Sequence, residues 1–237
     1  MPPVLAASDL PFIWHNATGE GKTIIFILGV FSVFAWTVMG AKASQMRRAK
    51  RLNSHFSREF RAQPETLGIY DRKLQVDGCP LFEVYQEGCN EISQRLKAGS
   101  AAERRSNLSI KSMEHVKRTL ERTVAQEALK LESGLILLAI AVSGAPFLGL
   151  LGTVWGVMSA FSGIAMAGHA DLASMAPGVS AALVTTVAGL LVAIPSMFGY
   201  NWLVHTLRVL TVELDNFAQE MTSRIETEYL EDESHGH

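Results

Sequence analysis

From Gly134 to Leu207 the chain carries no Lys, Arg or Glu and only one acidic residue, Asp171, whereas residues 44–132 hold 17 of its 21 Lys and Arg. So long an uncharged stretch belongs in lipid, and the charged middle belongs in water. Charged residues make up 19% of the chain, below the roughly 25% of an average soluble domain. Soluble single-domain enzymes, collagen-like chains and disordered proteins are excluded by this division. The net charge of -2 says little, because it averages a basic middle with an acidic tail.

Three apolar runs set the architecture. The first, Thr23 to Ala41, would span about 28 Å as a helix, against roughly 30 Å for a bilayer core. The second, Gly134 to Ala167, would reach roughly 50 Å, so it must tilt or project into water. A third, Val179 to Leu207, follows after the polar stretch GHADLASMAPG and completes a transmembrane hairpin. The expected class is all-α, with three transmembrane helices, two of them long and extended into the cytoplasm. Arg47, Arg48, Lys50 and Arg51 follow the first run, Lys130 precedes the second and Arg208 follows the third, and basic flanks stay on the cytoplasmic side. The resulting layout is an outer N-terminal arm (1–22), helix (23–43), cytoplasmic helical domain (44–133), helix (134–167), outer turn (168–178), helix (179–207) and cytoplasmic helical tail (208–237). Trp36, Tyr200 and Trp202 fall near the inner ends, where amphipathic rings settle.

Within the cytoplasmic segment, Ile110, Met113, Val116, Leu120, Val124 and Leu131 recur at helical spacing, which predicts an amphipathic helix running straight into the second apolar run. Pro64, Gly68, Gly78 and Pro80 punctuate the region before it, predicting helices near 44–61 and 81–98. The tail continues helical through Leu210, Leu214, Phe217, Met221 and Ile225. Cys79 and Cys89 are too few for a disulfide framework and read as free thiols. His235 and His237 belong to a solvated terminus, and His169 and His205 read as interfacial residues.

The second run places Gly149, Gly152, Gly156, Ala160 and Gly163 at steps of three or four, and the third repeats the device with Gly178, Ala182, Thr186, Gly189 and Ala193. Such stripes allow close helix approach, because packing drives association in lipid. On or beside them lie Thr153, Thr185 and Thr186, with Ser143, Ser159, Ser162 and Ser180 nearer the ends. Two readings stand for these hydroxyls. They bond back to the preceding turn of their own helix, or they line a polar path for an ion. Without an ionisable residue the chain alone cannot relay protons as intramembrane carboxylates do, so a partner must supply the charge. Pro146 and Pro195 lie inside the apolar runs and invite kinks.

The blocks PFLGLLGTVWGVMSAFSGIA (Pro146 to Ala165) and LASMAPGVSAALVTTVAGLLVAIPSMFGYNWL (Leu172 to Leu203) resemble the MotA/TolQ/ExbB family of inner-membrane ion-channel subunits, nearest its TolQ and ExbB branches. The first 130 residues agree with that family in layout. The resemblance implies a homopentamer in the bacterial inner membrane, N-terminus periplasmic, around a central pore lined by the second and third helices. It implies a TolR/ExbD-type partner whose single helix carries an Asp within that pore, and work delivered to a TolA/TonB-type transducer. The family's pore threonines fall on Thr153 and Thr186, with Thr185 adjoining. No cofactor, metal or catalytic group is implied, only a transported H+, with Na+ as the alternative. One departure stands out: where TolQ and ExbB relatives carry Glu, this chain has Ala181, and its LVTTVAGL is similar to the paired threonines of the MotA branch. Paired hydroxyls and carbonyls also suit Na+, a hard cation that prefers oxygen.

A competing expectation is a membrane scaffold that gathers partner helices without conducting ions. A membrane enzyme lacks a nucleophile, base and orienting residue at compatible depths. Nucleic-acid binding is disfavoured because basic and acidic residues are interleaved.

Overall fold

The computed structural model describes residues 19–72, 76–98, 108–167 and 172–229. Asp171, His169, His235, His237 and the outer parts of the N-terminal arm, the 168–178 turn and the tail lie outside them. The described residues form five α-helices and no strand: α1 (Gly19–Ala62), α2 (Pro80–Ala98), α3 (Ile110–Glu132), α4 (Leu135–Ala167) and α5 (Leu172–Tyr229), with a 3-10 turn at Tyr70–Arg72. Among them α1, α4 and α5 are long and apolar enough to cross a membrane.

Helix α1 continues from the first apolar run through residues 44–61 without a break. The linking residues, AKASQMRRAK, are mostly strong helix formers with no Gly or Pro, so nothing stops the helix there. By contrast, α3 does not run straight into α4 as its pattern suggests. Ser133 caps α3 with extended backbone, its N–H donating to Leu129 O, and Gly134 takes φ +82°, a left-handed conformation open to glycine at little cost. Helix α5 begins at Leu172, before the expected Val179, and holds Pro177 in its second turn. Pro146 and Pro195 sit inside α4 and α5, and neither ends its helix.

The chain divides into two compact units, Met1–Lys42 with Gly134–Leu203, and Ala43–Ser133 with Val204–His237. In the first, Ile24 and Leu28 of α1 are buried with Ala145 and Ala193. A side chain at Gly199 would overlap Met39 of α1, so that glycine is a contact point between α1 and α5. Most of this unit's apolar surface stays uncovered, with Phe26, Phe147, Leu191 and Phe198 each about two-thirds exposed or more. Lipid or further subunits must cover it.

The second unit has a packed apolar core. Phe56 and Phe60 of α1, Phe82 and Tyr85 of α2 and Phe217 of α5 form an edge-to-face aromatic cluster, with Phe60 and Phe217 centroids 5.0 Å apart. Met113, Val116, Leu120, Val124 and Leu131 are buried as their spacing predicts, and so are Leu210, Leu214, Phe217, Met221 and Ile225. Ile110 is an exception at 70% exposure: it is the first residue of α3, and Leu108, just before the N-cap Ser109, is the residue buried in the core at this end. Polar groups fix the end of α1. Arg224 Nη1 donates to Phe60 O (3.1 Å) and Gln63 O (3.4 Å), which are carbonyls at and just beyond its last turn. The Tyr85 hydroxyl donates to Thr66 O (2.8 Å) and accepts from the Tyr70 N–H (2.9 Å). Both thiols are free and buried, and burial pushes Cys79 up to about 11 and Cys89 up to about 12, leaving them protonated and unreactive at neutral pH.

Glu83 introduces a pH dependence into this unit. Burial, and then the nearby charge of Glu127, push its carboxyl above the usual range. The folded state therefore holds the Glu83 proton more tightly than the unfolded chain does. The associated stability is fully present below the unfolded value of 4.5 and is lost as pH rises through the folded value. Glu83→Gln is expected to raise the melting temperature of the detergent-solubilised protein at neutral pH and to leave it unchanged in acid. An equal shift at both pH values would show that charge is not the cause.

Candidate functional site

The glycine stripe of α4 lies directly against α5. A Cβ at Gly149 would come within 3.0 Å of Thr185 O and Thr186 Cα, one at Gly156 within 2.6 Å of Ala182 Cβ, and one at Gly189 within 2.6 Å of Ala145 O. At Gly152 it would meet Thr185 Cβ at 2.7 Å. The distances at Gly152, Gly156 and Gly189 are shorter than real Cβ contacts and that at Gly149 is at their lower edge, so the two backbones approach as closely as they do only because side chains are missing. The expected tight pair is therefore made within one chain. Gly163 has nothing within 4 Å and lies outside this contact.

Close approach lets the threonine side chains cross from one helix to the other. Thr153 Oγ1 lies 3.2 Å from Gly149 O in its own helix and 3.2 Å from Ala182 O in α5. Thr185 Oγ1 reaches Ala182 O at 2.6 Å and Gly149 O, across the interface, at 3.1 Å. Thr186 Oγ1 also reaches Gly149 O at 3.1 Å, and the Thr153 and Thr186 hydroxyls are hydrogen-bonded to each other. Three hydroxyls thus share two carbonyls.

Each hydroxyl has a single proton to donate. Among the arrangements that satisfy all of them, two differ in the direction of the Thr153–Thr186 bond. In one, Thr153 donates to Thr186, Thr186 to Gly149 O and Thr185 to Ala182 O. In the other the Thr153–Thr186 bond reverses and the acceptors change: Thr186 donates to Thr153, Thr153 to Ala182 O and Thr185 to Gly149 O. Both leave both carbonyls with a hydroxyl donor, so the Thr153–Thr186 bond can invert without orphaning a group.

The three threonines are not equivalent. Thr185 is 1% exposed and wedged between the helices, whereas Thr153 and Thr186 are half-buried and keep an accessible side. Four other hydroxyls of this unit behave as ordinary helix hydroxyls. Thr23, Thr37, Ser143 and Ser196 each donate to the carbonyl one turn back, at 2.7–3.0 Å, and make no cross-helix bond. Ser162 and Ser180 are exposed and Ser159 is half-buried. Spacing alone identified the three threonines but not that they meet over Gly149. The matching steps 149–152–156 and 182–186–189, paired antiparallel, are the signal that contains this register. Ala181 is buried in the same unit, so a Glu there would be a buried carboxylate, and described residues 135–167 and 172–203 contain no ionisable acid or base other than Tyr200.

Residues 89–216 match the model of the MotA/TolQ/ExbB proton channel family. The chain is 30% identical over 207 residues to the Biopolymer transport protein ExbB of Neisseria meningitidis serogroup A, covering 84% of this chain and 91% of that one. It is 30% identical over 203 residues to the Tol-Pal system protein TolQ of Pseudomonas aeruginosa, covering 84% and 85% respectively. To the ExbB of Xanthomonas campestris pv. campestris strain B100 it is 32% identical over 189 residues, or 78% of this chain and 73% of that protein. With a threonine cluster between two glycine-faced apolar helices, the family model over more than half its length and relatives aligned over most of it, the chain belongs to the MotA/TolQ/ExbB proton channel family.

Proposed function

We propose that this chain is the channel and stator subunit of an ion-motive-force-driven motor in the inner membrane. Family membership and three apolar helices support a multi-pass inner-membrane protein, and the relatives' names connect them to biopolymer transport and to the Tol-Pal system. The observation that carries the reading is the hydroxyl cluster of Thr153, Thr185 and Thr186, whose Thr153–Thr186 bond can invert, on helix stretches 135–167 and 172–203 that hold no acid of their own. Such a site suits a carboxylate that changes charge state beside it, because a hydroxyl can donate to the anion and accept from the acid.

In this reading the subunits form a homopentamer, α4 and α5 line its pore, and the acid belongs to a TolR/ExbD-type helix held inside. The N-terminus is periplasmic and the second unit is cytoplasmic, following the basic residues beside the spans. H+ is the transported ion. Na+ is the alternative, favoured by the paired hydroxyls and by Ala181 in place of a carboxylate. The protein has no cofactor and is not an enzyme; it transmits work through its partner to a TolA/TonB-type transducer. Co-expression with the product of a neighbouring gene that encodes a single-helix protein, followed by native mass spectrometry, tests the assembly. Five copies of this chain with two of a partner bearing an intramembrane Asp is the expected result. A monomer, or a partner helix without any acid, would contradict it.

A membrane scaffold is the second reading, favoured by the glycine packing alone. It needs the close helix faces and not the hydroxyls, so substitution of the threonines separates the two.

A further inference from the structure

Past its apolar run, α1 becomes strongly basic. Between Lys42 and Ala62 it carries seven Lys or Arg and one acid, Glu59. The helix is two-faced there. Met46, Ala49, Asn53, Phe56 and Phe60 are buried at steps of three or four, while Arg47, Arg48, Lys50, Arg51, Arg58 and Arg61 are exposed. Some of these charges are used within the unit: Arg61 forms a two-pronged pair with Glu220, and Arg48 donates to Asp77 O at 3.3 Å. Lys50 and Arg51 have no acidic partner among the described residues.

Along α1 these charges follow the apolar run directly. Lys42 adjoins Ala41, the last apolar residue, and Arg47 to Arg51 follow at roughly 9–15 Å along the axis. The headgroup layer is about 5–8 Å thick on each side of the hydrocarbon, and charge is felt over a further Debye length of about 8 Å. Helical side chains lean toward the N-terminus of their helix. In α1 that direction is back toward the apolar run, so the long Arg and Lys side chains approach the bilayer they have just left.

We infer that the exposed basic face of α1, centred on Lys50 and Arg51, binds the phosphate headgroups of anionic phospholipids in the leaflet from which the helix emerges. Charge complementarity selects this occupant: guanidinium groups match phosphate oxygens in two-pronged hydrogen bonds, and among the described residues no acid is paired with Lys50 or Arg51. The inference rests on α1 being a membrane span and not on ion conduction, so failure of the motor reading leaves it standing.

The test uses the full chain in a neutral detergent, titrated with dioleoylphosphatidylglycerol or dioleoylphosphatidylcholine, with bound lipids counted by native mass spectrometry. Wild type is expected to retain phosphatidylglycerol in preference to phosphatidylcholine. At about five-fold per basic residue near the surface, the Lys50→Glu/Arg51→Glu protein should lose that preference by about ten-fold or more. Lys50→Gln/Arg51→Gln, which only removes the charges, should lose part of it. Lys117→Glu/Arg122→Glu, on the exposed face of α3, should keep it. A wild type indifferent to the two lipids, or a preference unchanged in both Lys50/Arg51 variants, would overturn the inference.

Discussion

Gly152→Val is expected to force α4 and α5 apart. A valine Cβ would start 2.7 Å from Thr185 Cβ, and there is little room to slide because even a Cβ placed at Gly149, one turn away, would lie only 3.0 Å from the Thr185 and Thr186 backbone. Overpacking of this kind costs about 1–3 kcal/mol. Separation would also break the cross-helix bonds from Thr153 and Thr185, each worth about 1 kcal/mol net. A large fall in the thermal midpoint of the solubilised protein should follow. Gly163→Val is the control, since nothing lies within 4 Å of that position. If both variants fell equally, close packing of α4 on α5 would not be what Gly152 provides.

Thr186→Val and Thr153→Val should have a different signature: function lost with the fold kept. Valine preserves the branched shape and removes the hydroxyl. Gly149 O would still have Thr185, and one of Thr153 or Thr186, within reach, so the stability cost should be about 1 kcal/mol. The invertible hydroxyl chain would be gone, because it needs Thr153 and Thr186 together. Neither variant should complement a strain lacking its own copy of the subunit, although both should assemble at wild-type mass. Thr185→Val should show the opposite balance. Its hydroxyl is buried and serves the carbonyls of both helices, so its loss should lower the melting midpoint more than either other substitution. Normal complementation by Thr186→Val and Thr153→Val together would favour the scaffold reading.

Much of this architecture is written in local patterns. Three apolar runs, two small-residue stripes and the buried face of α3 each follow from spacing, because lipid and core burial both act on a helical period. What escaped was decided by single backbone positions or by pairing between distant segments. The helical period of α3 continues toward Leu131 with no hint of a stop, and it is the left-handed backbone at Gly134 that breaks it. Ile110 fits the apolar period and is exposed, while Leu108, outside the helix, takes the buried place at that end of the core. At the site, the sequence singles out Thr153, Thr185 and Thr186 as the hydroxyls beside glycines, but not which carbonyls they share. That depends on the antiparallel register of α4 on α5, which sets Gly149 opposite Thr185 and Thr186. The difference between the wedged Thr185 and the half-buried Thr153 and Thr186 comes from the same register.

The central claim is that the Thr153–Thr186 pair is part of an ion path. Its most direct test is ion flux into vesicles reconstituted with this chain and the acidic single-helix partner proposed for it, under an imposed proton or sodium gradient. Wild type should conduct one of the two ions, and the Thr153→Val/Thr186→Val protein, assembled at the same mass, should conduct neither. Equal flux through both proteins would contradict the account.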